Sequence, residues 1–303
     1  MNPQILILKS NKDDFEKYYI EHMQLPNVKT VPIYKYNSGL LWKIMVLWIE
    51  KLELPYSSIW YGNWKKEIEK YDSVIIFDRN LNWNILRYIK RKKEKCKVIA
   101  WYWNLINSKN RVPVKYRKYC EEWTFDSEDA RKYNIMLNTQ FYFEQEYYEE
   151  DKKDDCFFVG ADKNRIDDIE RLYDLIDSLG YKSQFYVIKD KTSKNKKSRL
   201  YINKHISYEQ VVEYIHKCEC IVEINRGSQV GLTVRTLEAV FNNKKLITNN
   251  KCICKEPFYN RNNILIIDSN TTKETIGSFM KCEFVPYGDK IKEYDFGAWL
   301  GRF

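Results

Sequence analysis

Continuous apolar runs alternate with stretches of helical period through the first half of the chain. The run at residues 73–77, Ser-Val-Ile-Ile-Phe, ends at Asp78. Such a run is typical of a central strand in a parallel sheet, because helices cover both faces of that strand. The pattern predicts strands at residues 5–8, 31–34, 73–77, 97–103 and 123–125. It predicts helices at residues 14–23, 39–52, 64–70, 82–95 and 127–133.

The alternation restarts after residues 149–155, a run of charged side chains that indicates a solvated linker or loop. Beyond it the pattern predicts strands at residues 156–160, 186–188, 220–224, 245–248 and 264–267. It predicts helices at residues 165–179, 208–217 and 232–241, and a closing helix in the aromatic stretch 294–300. Two such series predict an α/β fold with two Rossmann-like domains facing a central cleft. The predicted domains are residues 1–148 and 149–285, followed by a helical tail, 286–303, that packs back toward the N-terminal domain.

Charge and composition narrow the classes of partner. Lys and Arg number 51 against 42 Asp and Glu, giving a formal net charge of +9 that favours anionic partners. Nucleotide phosphates, anionic lipid headgroups and nucleic acid all qualify. No secretory signal is visible at the start of the sequence, and the longest apolar stretch, residues 40–49, is too short to span a membrane. We therefore expect a cytoplasmic protein whose eight cysteines are reduced.

Ligands of doubly wound sheets bind outside the carboxyl ends of the strands, so the residues after each strand are the informative ones. The strand at 156–160 ends at Gly160, and Lys163 and Arg165 follow before the next helix. A glycine permits close backbone approach, and the two cations suit a diphosphate. The simpler interpretation is an ordinary turn with surface cations. The segment has neither the G-x-G-x-x-G nor the G-K-[ST] pattern.

The loop after the strand at 220–224 is the second candidate. Gly227 and Gly231 bracket a polar loop, and a helix with an apolar arc follows. Free N–H groups at the start of a helix suit phosphate oxygens, and a carboxylate one to two turns further can accept both ribose hydroxyls. Arg235 and Glu238 lie three residues apart on this helix, so a structural ion pair is the alternative.

These segments resemble bacterial capsular and lipopolysaccharide biosynthesis glycosyltransferases. The resemblance rests on Phe-Val-Gly-x-Asp-Lys-x-Arg at 158–165, Gly-Leu-Thr-x-Arg-x-x-Glu at 231–238 and Lys-Leu-Ile-Thr-Asn-Asn at 245–250. It is looser in the first half, at residues 76–78 and 101–104.

The resemblance implies a GT-B fold, with the acceptor bound by the first domain and a nucleoside-diphosphate sugar donor bound by the second. It implies that Glu238 binds the donor ribose and that the diphosphate lies along Gly231, Leu232 and Thr233. In this fold the loop at 205–208 usually meets the nucleotide base. The expected donor-binding residues are Gly160, Lys163, Arg165, His205, Ile206, Ser228, Gln229, Gly231, Leu232, Thr233, Arg235 and Glu238.

The match departs from the Glu-x7-Glu pattern of many retaining GT-B enzymes, since Val230 stands eight residues before Glu238. The stereochemical outcome therefore stays open. An inverting transfer needs a base to deprotonate the acceptor hydroxyl. Asp78, at the end of a buried strand, is the candidate, and a helix cap or a salt bridge with Arg79 or Arg87 is its alternative role. Asp126, His205 and His216 are the other candidates, although Asp126 also suits a helix N-cap.

A metal site and a resident cofactor are not expected. Two C-x-C pairs, at 218–220 and 252–254, raise the possibility of zinc, but Cys220 lies in an apolar strand, where free cysteine is a common small core residue. No Asp-x-Asp follows a strand, so the sequence lacks the metal–diphosphate motif of the other main transferase fold. The nucleotide-sugar enters as a substrate.

The Trp-rich segment 41–54 has two interpretations. Trp42, Met45, Trp48 and Ile49 share helical spacing, which indicates a core helix or one that docks on a membrane surface or an acceptor. The same half carries basic residues that attract anionic headgroups: Arg87, Lys90, Arg91, Lys92, Lys93, Lys95 and Lys97.

The sequence thus predicts a metal-independent glycosyltransferase that moves a sugar from a nucleotide-sugar to a saccharide acceptor in cell-surface polysaccharide synthesis. The expected partners are the nucleotide-sugar, a lipid-linked saccharide and the inner face of the cell membrane. Nucleic acid is not expected, because no nucleic-acid-binding motif appears and the positive charge is scattered. The alternatives are a basic nucleic-acid-binding protein and a peripheral membrane protein, both without catalysis.

Overall fold

The computed structural model describes residues 3–35, 39, 44–45, 48, 58–78, 82–144, 154–194, 196–226 and 229–303. The chain divides into two compact units, residues 1–138 and 139–303. The predicted division at 148/149 falls later in the chain, because residues 139–144 group with the second unit.

The first unit is built on one six-stranded sheet whose strands are all parallel. In spatial order these are β2 (Val28–Pro32), β1 (Ile5–Lys9), β3 (Ser73–Phe77), β4 (Lys97–Tyr102), β5 (Glu121–Thr124) and β6 (Met136–Leu137). Leu6, Ile7, Val74, Ile75 and Ile76 are at most 1% exposed, so the central strands are covered on both faces. Burial on both faces is the reason that these strands are uninterrupted apolar runs.

Outside the partly described stretch 36–57, the helices of the first unit are α1 (Asp14–His22), α2 (Asn84–Lys92), α3 (Val114–Arg117) and α4 (Ser127–Tyr133). α1 begins where the Asp13 carboxylate accepts a hydrogen bond from the Glu16 N–H, at 2.9 Å. Such a cap satisfies an N–H group that has no partner within the helix. The predicted helix at 64–70 is wrong in type, because the chain forms two short 3₁₀ helices there, Asn63–Lys66 and Ile68–Lys70.

The second unit repeats the plan with another parallel sheet of six strands. In spatial order these are β12 (Ile264–Ile266), β11 (Lys245–Thr248), β10 (Cys218–Glu223), β7 (Asp154–Ala161), β8 (Ser183–Ile188) and β9 (Tyr201–Ile202). Its helices are α5 (Ile166–Asp177), α6 (Tyr208–Lys217), α7 (Val234–Phe241), α8 (Lys273–Met280) and α9 (Phe296–Leu300). Short 3₁₀ helices lie at Lys191–Ser193, Lys251–Lys255 and Gly288–Tyr294. β7 and β10 are adjacent, so their carboxyl ends lie at the same edge of the sheet.

The aromatic tail packs within the second unit. Tyr142 N–H donates to the Tyr294 carbonyl at 2.9 Å, and Phe296 N–H donates to the Tyr142 carbonyl at 3.0 Å. The ring centroids of Phe141 and Trp299 lie 4.3 Å apart. The tail therefore lies against residues 141–142, which the sequence analysis assigned to the first domain and the contacts assign to the second unit.

Most of the Trp-rich segment lies outside the described residues, including Trp42 and Ile49. Of its described side chains, Ile44 is 43% exposed, Met45 39% and Trp48 62%. The core-helix interpretation is therefore wrong for Trp48. Among the described residues, no helix is both long and apolar enough to cross a bilayer.

Candidate functional site

Asp78 lies at the carboxyl end of β3, in the first unit, and is 4% exposed. Its Oδ1 accepts from the Trp103 N–H at 3.0 Å and from the Asn104 amide at 3.5 Å, and its Oδ2 accepts from the Asn110 amide at 2.7 Å. Burial raises the pKa of this carboxyl to about 6, against the opposing effect of the hydrogen bonds and the Lys9 charge. A carboxylate with this pKa is ionised at neutral pH and can accept a proton.

The alternative roles of Asp78 are a helix cap and a salt bridge. Arg87 is exposed on α2, whereas the described side-chain hydrogen bonds to Asp78 come from the Trp103 N–H and from two side-chain amides. Arg79 lies outside the described ranges. Asp126 does cap a helix, because its Oδ1 accepts from the N–H groups of Glu128 and Asp129 at the start of α4.

Lys9 is a functional candidate that the sequence analysis missed. It ends β1, beside β3 in the sheet, and is 2% exposed. Its Nζ lies 3.8 Å from Glu16 Oε1 and within cation–π distance of the rings of Phe77, at 4.9 Å, and Trp103, at 4.8 Å. In the sequence, a lysine after an apolar run indicates a surface position. Only the place of Lys9 at the end of a strand could have marked it as a candidate.

In the second unit, the loop after β7 is already bound by side chains of the same chain. Lys163 and Asn164 adopt left-handed backbone conformations, with φ of 46° and 65°. The Lys163 N–H donates to Asp190 Oδ2 at 3.0 Å, and the Asn164 N–H donates to Thr192 Oγ1 at 2.7 Å. These two N–H groups are therefore already hydrogen-bonded. Lys163 could contact an anion through its side chain, which is exposed.

Arg165 joins the ends of the two central strands of the second unit. Its guanidinium donates to the carbonyl oxygens of Ala161, at 2.5 Å, Asp162, at 3.2 Å, and Ile224. Burial and the nearby charge of Arg226 lower the pKa of Arg165.

Two neighbours of Arg165 complete this part of the edge. A Cβ at Gly160 would stand 3.5 Å from the Arg165 guanidinium, so this glycine adjoins the cation. Arg226 is exposed and follows Ile224 by two residues. The sequence analysis did not select Arg226, although its place after a strand was a usable signal.

Glu223 is a second residue that the sequence analysis missed. This carboxylate ends β10 and is 3% exposed. It accepts hydrogen bonds from the hydroxyls of Thr233, Thr236, at 2.9 Å, and Thr248, at 2.5 Å, and from the Asn225 amide at 3.4 Å. The Thr233 hydroxyl also accepts from the Thr236 N–H as the cap of α7, so its oxygen is engaged on both sides. Glu223 thereby fixes the start of α7 to the sheet.

Glu238 and Arg235 form the ion pair that the sequence analysis held as the alternative. Glu238 is 1% exposed, and its Oε2 pairs with the Arg235 guanidinium. Its Oε1 accepts from the Tyr208 hydroxyl at 2.6 Å, and that hydroxyl lies 3.2 Å from the Tyr142 hydroxyl. Burial raises the pKa of Glu238, although Arg235 and Tyr208 favour its ionised form.

The other predicted donor residues lie around these groups. His205 and Ile206 precede α6, whose first residue, Tyr208, reaches Glu238. The Gln229 N–H donates to the Arg226 carbonyl at 3.0 Å, and Leu232 is 6% exposed before the cap of α7. Gly231 is partly exposed in the same loop, and Ser228 lies outside the described residues.

The C-x-C pairs lie apart in structure. Cys218 and Cys220 are buried in β10, and burial raises the pKa of the Cys218 thiol to about 12, whereas Cys254 is exposed on the Lys251–Lys255 helix. Within the part of the chain that the structure covers, no group of three or more His, Cys, Asp or Glu side chains could hold a metal ion.

Comparisons with known proteins identify the fold. No family model matches the sequence, and no curated protein matches it. Among solved structures, AviGT4, a glycosyltransferase involved in avilamycin A biosynthesis, is 8% identical, with 99% of this chain and 95% of that one covered and a TM-score of 0.55. Sucrose-phosphate synthase from Thermosynechococcus elongatus is 9% identical, with 99% and 97% covered and a TM-score of 0.55.

HepE from Anabaena, solved in complex with UDP-glucose, is 8% identical, with 99% of this chain and 98% of that one covered and a TM-score of 0.50. Identities this low carry the likeness of fold alone. The predicted fold class is confirmed: this chain has an α/β fold of the GT-B type, made of two units that are each built on a six-stranded parallel sheet.

Proposed function

We propose that this protein is a glycosyltransferase that moves a sugar from a nucleoside-diphosphate sugar to a saccharide acceptor. The observation that carries the proposal is the pair of guanidinium groups at the carboxyl edge of the second sheet. Arg165 contacts the Ile224 carbonyl, two residues before Arg226, and the pKa of Arg165 is lowered by burial and, in addition, by the charge of Arg226. Like charges gathered at the ligand-binding edge of an α/β sheet favour a bound anion, and a diphosphate fits two guanidinium groups.

The start of α7 supplies the second part of the proposed donor site. Glu223 fixes the cap of α7 from within the sheet, and the start of a helix carries the partial positive charge that favours phosphate oxygens. The negative charge of Glu223 opposes an anion at this edge. The hydrogen-bond donors to Glu223 are three hydroxyls and an amide, which are neutral, so the charges of Arg165 and Arg226 must offset that of Glu223.

We assign the donor ribose to Glu238. Its Oε1 accepts one O–H hydrogen bond from Tyr208, and a ribose hydroxyl can take the place of that donor on Oε1. Arg235 remains paired with Oε2 during the exchange and keeps the carboxylate ionised. Tyr208 begins the helix that follows His205 and Ile206, so its displacement would open the loop that we expect to meet the nucleotide base.

Asp78 is the proposed base. The proton of the acceptor hydroxyl passes to Asp78 as the hydroxyl oxygen bonds to the anomeric carbon of the donor. The bond from that carbon to the diphosphate breaks, and the nucleoside diphosphate leaves with the electron pair. A pKa of about 6 leaves Asp78 mostly ionised at neutral pH while keeping its proton affinity above that of an exposed carboxylate.

A thermal-shift titration with nucleotides tests the donor site. We expect UDP, GDP, CDP or ADP to raise the melting temperature of the wild-type protein, and the Arg226→Gln variant to bind that nucleotide roughly tenfold more weakly, because a charge-assisted contact is lost. Arg261→Gln removes another exposed arginine of the second unit and is the control, with unchanged affinity expected. A protein whose melting temperature no nucleoside diphosphate raises would contradict the proposal.

We further propose that the acceptor is a lipid-linked saccharide of cell-surface polysaccharide synthesis, met at the inner face of the membrane. Ile44, Met45 and Trp48 are exposed apolar side chains of the first unit. On α2, Arg87 and Arg91 are exposed. Apolar and cationic side chains together suit an anionic bilayer surface.

Vesicle sedimentation tests the membrane proposal. We expect the protein to bind phosphatidylglycerol-containing vesicles more tightly than pure phosphatidylcholine vesicles. Arg91→Gln should weaken binding about fivefold, since a cation near the surface contributes about 1 kcal/mol. Trp48→Ser should weaken it by more, whereas Val114→Ser, a control at a side chain that is 77% exposed, should leave it unchanged. Equal binding to both kinds of vesicle would refute this part of the proposal.

A further inference from the structure

Lys9 is a buried ammonium group whose charge lowers the pKa of Asp78 but which has no assigned contact with either substrate. Removing a charge from water is unfavourable unless nearby groups compensate it. Here the compensation is a carboxylate, Glu16 Oε1, at 3.8 Å from Nζ, and aromatic rings. The ring centroids of Trp103, Phe77, Tyr19 and Phe15 lie 4.8, 4.9, 5.8 and 5.9 Å from Nζ. This arrangement holds the rings in fixed positions around a central charge.

Trp103 and Phe15 are the partly exposed rings of this cluster, and Trp103 is the one that adjoins Asp78. It is half-buried, and its ring packs edge-on against Tyr19, with centroids 5.0 Å apart at 82°, and lies 5.2 Å from Phe77. Its backbone N–H donates to Asp78 at 3.0 Å. Trp103 is thus held by its ring and its backbone at once. The next residue, Asn104, is exposed, and its amide nitrogen lies 3.5 Å from the Asp78 carboxylate.

We propose that Trp103, Asn104 and Asp78 form a saccharide-binding subsite in which a sugar ring of the acceptor packs on the indole, and that Lys9 is a positioning residue that holds the indole. The inference rests on the proposed function and deepens it. A sugar ring offers C–H groups on its face and hydroxyls at its edge. The half-buried indole of Trp103 can pack against the C–H groups, and the Asn104 amide and the Asp78 carboxylate can hydrogen-bond to the hydroxyls.

The charge of the subsite favours a neutral sugar over a nucleotide. A nucleobase also stacks on an indole, but its phosphate would approach the Asp78 carboxylate, and like charges repel. Lys9 does not offset this repulsion at the surface, because its Nζ is buried and lies beside Glu16. Lys9 instead holds the Trp103 indole in place, which lowers the entropy cost of ordering that side chain when a sugar binds.

Binding of methyl glycosides, measured by calorimetry without any donor, tests the subsite. The probes are the methyl α- and β-glycosides of glucose, galactose, mannose, rhamnose and N-acetylglucosamine. We expect at least one of them to bind the wild-type protein and to bind Trp103→Ala roughly tenfold more weakly, with Trp103→Phe between the two. Tyr119→Ala is the matched control, because Tyr119 is a half-buried ring of the same unit with the Lys118 Nζ 5.2 Å from its centroid.

Lys9→Met tests the positioning role, since methionine keeps an unbranched side chain and removes the charge. We expect weaker glycoside binding, and an acid limb of the pH–rate profile that moves to higher pH, because Lys9 no longer lowers the pKa of Asp78. Glu16 also faces Lys9, and its charge, left without a counterion, adds to the shift. A loss of packing alone would weaken binding without moving that limb.

Three results would overturn the inference: no glycoside of the panel binds, the bound glycoside binds Trp103→Ala as tightly as the wild type, or AMP binds at Trp103 in preference to every glycoside. The nucleoside-diphosphate titration separates this failure from that of the proposed function. If a nucleoside diphosphate stabilises the protein and Trp103→Ala leaves glycoside binding unchanged, the subsite is wrong and the transferase proposal stands.

Discussion

Asp78→Asn is expected to lower the rate of sugar transfer by roughly a thousandfold, the typical contribution of a general base. The amide keeps the size of the side chain and can still accept from the Trp103 N–H. The amide cannot take up the proton of the acceptor hydroxyl. Its NH₂ group would also face the NH₂ group of Asn110, which now donates to Asp78 at 2.7 Å, so that hydrogen bond would be lost. Initial rates with saturating donor measure the loss of rate, and nucleoside-diphosphate affinity should not change.

The pH dependence of the wild-type rate is a second test of Asp78 as the base. Because the pKa of Asp78 is about 6, kcat/KM should fall about tenfold per pH unit below that value as the base becomes protonated. This pKa lies above the ordinary 3.8, so the folded protein binds more protons than the unfolded chain between those values and loses stability as the pH rises through them. Asp78→Asn should therefore remove this pH-dependent loss of stability, whereas the lost hydrogen bond from Asn110 lowers stability at every pH.

Asp126→Asn is the matched control for Asp78. Asp126 is 1% exposed in the same unit and caps α4. Its replacement should affect stability and leave both the transfer rate and the acid limb in place. A transfer rate that Asp78→Asn leaves within a factor of ten of the wild type would remove Asp78 from the proposed chemistry.

Glu238→Ala is expected to lower the free energy of unfolding by about 3 kcal/mol, because it leaves the guanidinium of Arg235 without its carboxylate in a mostly buried position. Urea denaturation followed by circular dichroism measures this change. The same variant should lose nucleoside-diphosphate affinity, because the acceptor for the ribose hydroxyls is gone. Glu256→Ala is the control, since that carboxylate accepts from the Tyr294 hydroxyl at 2.5 Å in the same unit but is not assigned to the donor.

Tyr208→Phe separates the ribose role of Glu238 from its structural role. The phenylalanine ring fills the same space and no longer donates to Glu238 Oε1. If ribose replaces the Tyr208 hydroxyl, the variant should bind the nucleotide more tightly than the wild type, because the competing donor is absent. Unchanged affinity in both Tyr208→Phe and Glu238→Gln would mean that Glu238 serves only the ion pair with Arg235.

The strands and the ends of several helices could be predicted from the sequence because local patterns determine them. The run at Ser73–Phe77 is buried on both faces of a parallel sheet, which requires apolar residues at successive positions. Asp126 caps α4 because its side chain reaches the N–H groups two and three residues on. Asp78 was selected as the candidate base by its place at the end of such a strand, and its buried position there is confirmed.

The contacts within the candidate site could not be predicted, since they join residues far apart in the chain. Thr248 reaches Glu223 from the neighbouring strand, and Tyr208 reaches Glu238 from another helix. The cations Lys163 and Arg165 were selected for a diphosphate by their place after a strand, but the sequence does not show that side chains at 190 and 192 bind the N–H groups of residues 163 and 164. No periodicity or spacing within one segment carries this information.

The edge strands and the buried charges were missed for related reasons. β6 and β9 have two residues each, too few for a pattern to emerge. Lys9 and Lys245 are each 2% exposed, although lysine favours the surface in general. Lys245 is compensated by the carbonyl oxygens of Phe279, Met280 and Cys282 at the end of α8, which only the folded chain brings to its Nζ.

Release of nucleoside diphosphate tests the central claim most directly. The purified protein is incubated with a panel of UDP-, GDP-, CDP- and dTDP-sugars and a cell-envelope extract as the source of acceptor. We predict that at least one donor releases its nucleoside diphosphate, that a sugar from that donor appears on a component of the extract by mass spectrometry, and that Asp78→Asn abolishes both signals. If no donor in the panel releases nucleoside diphosphate above the protein-free blank, the protein is not the transferase proposed.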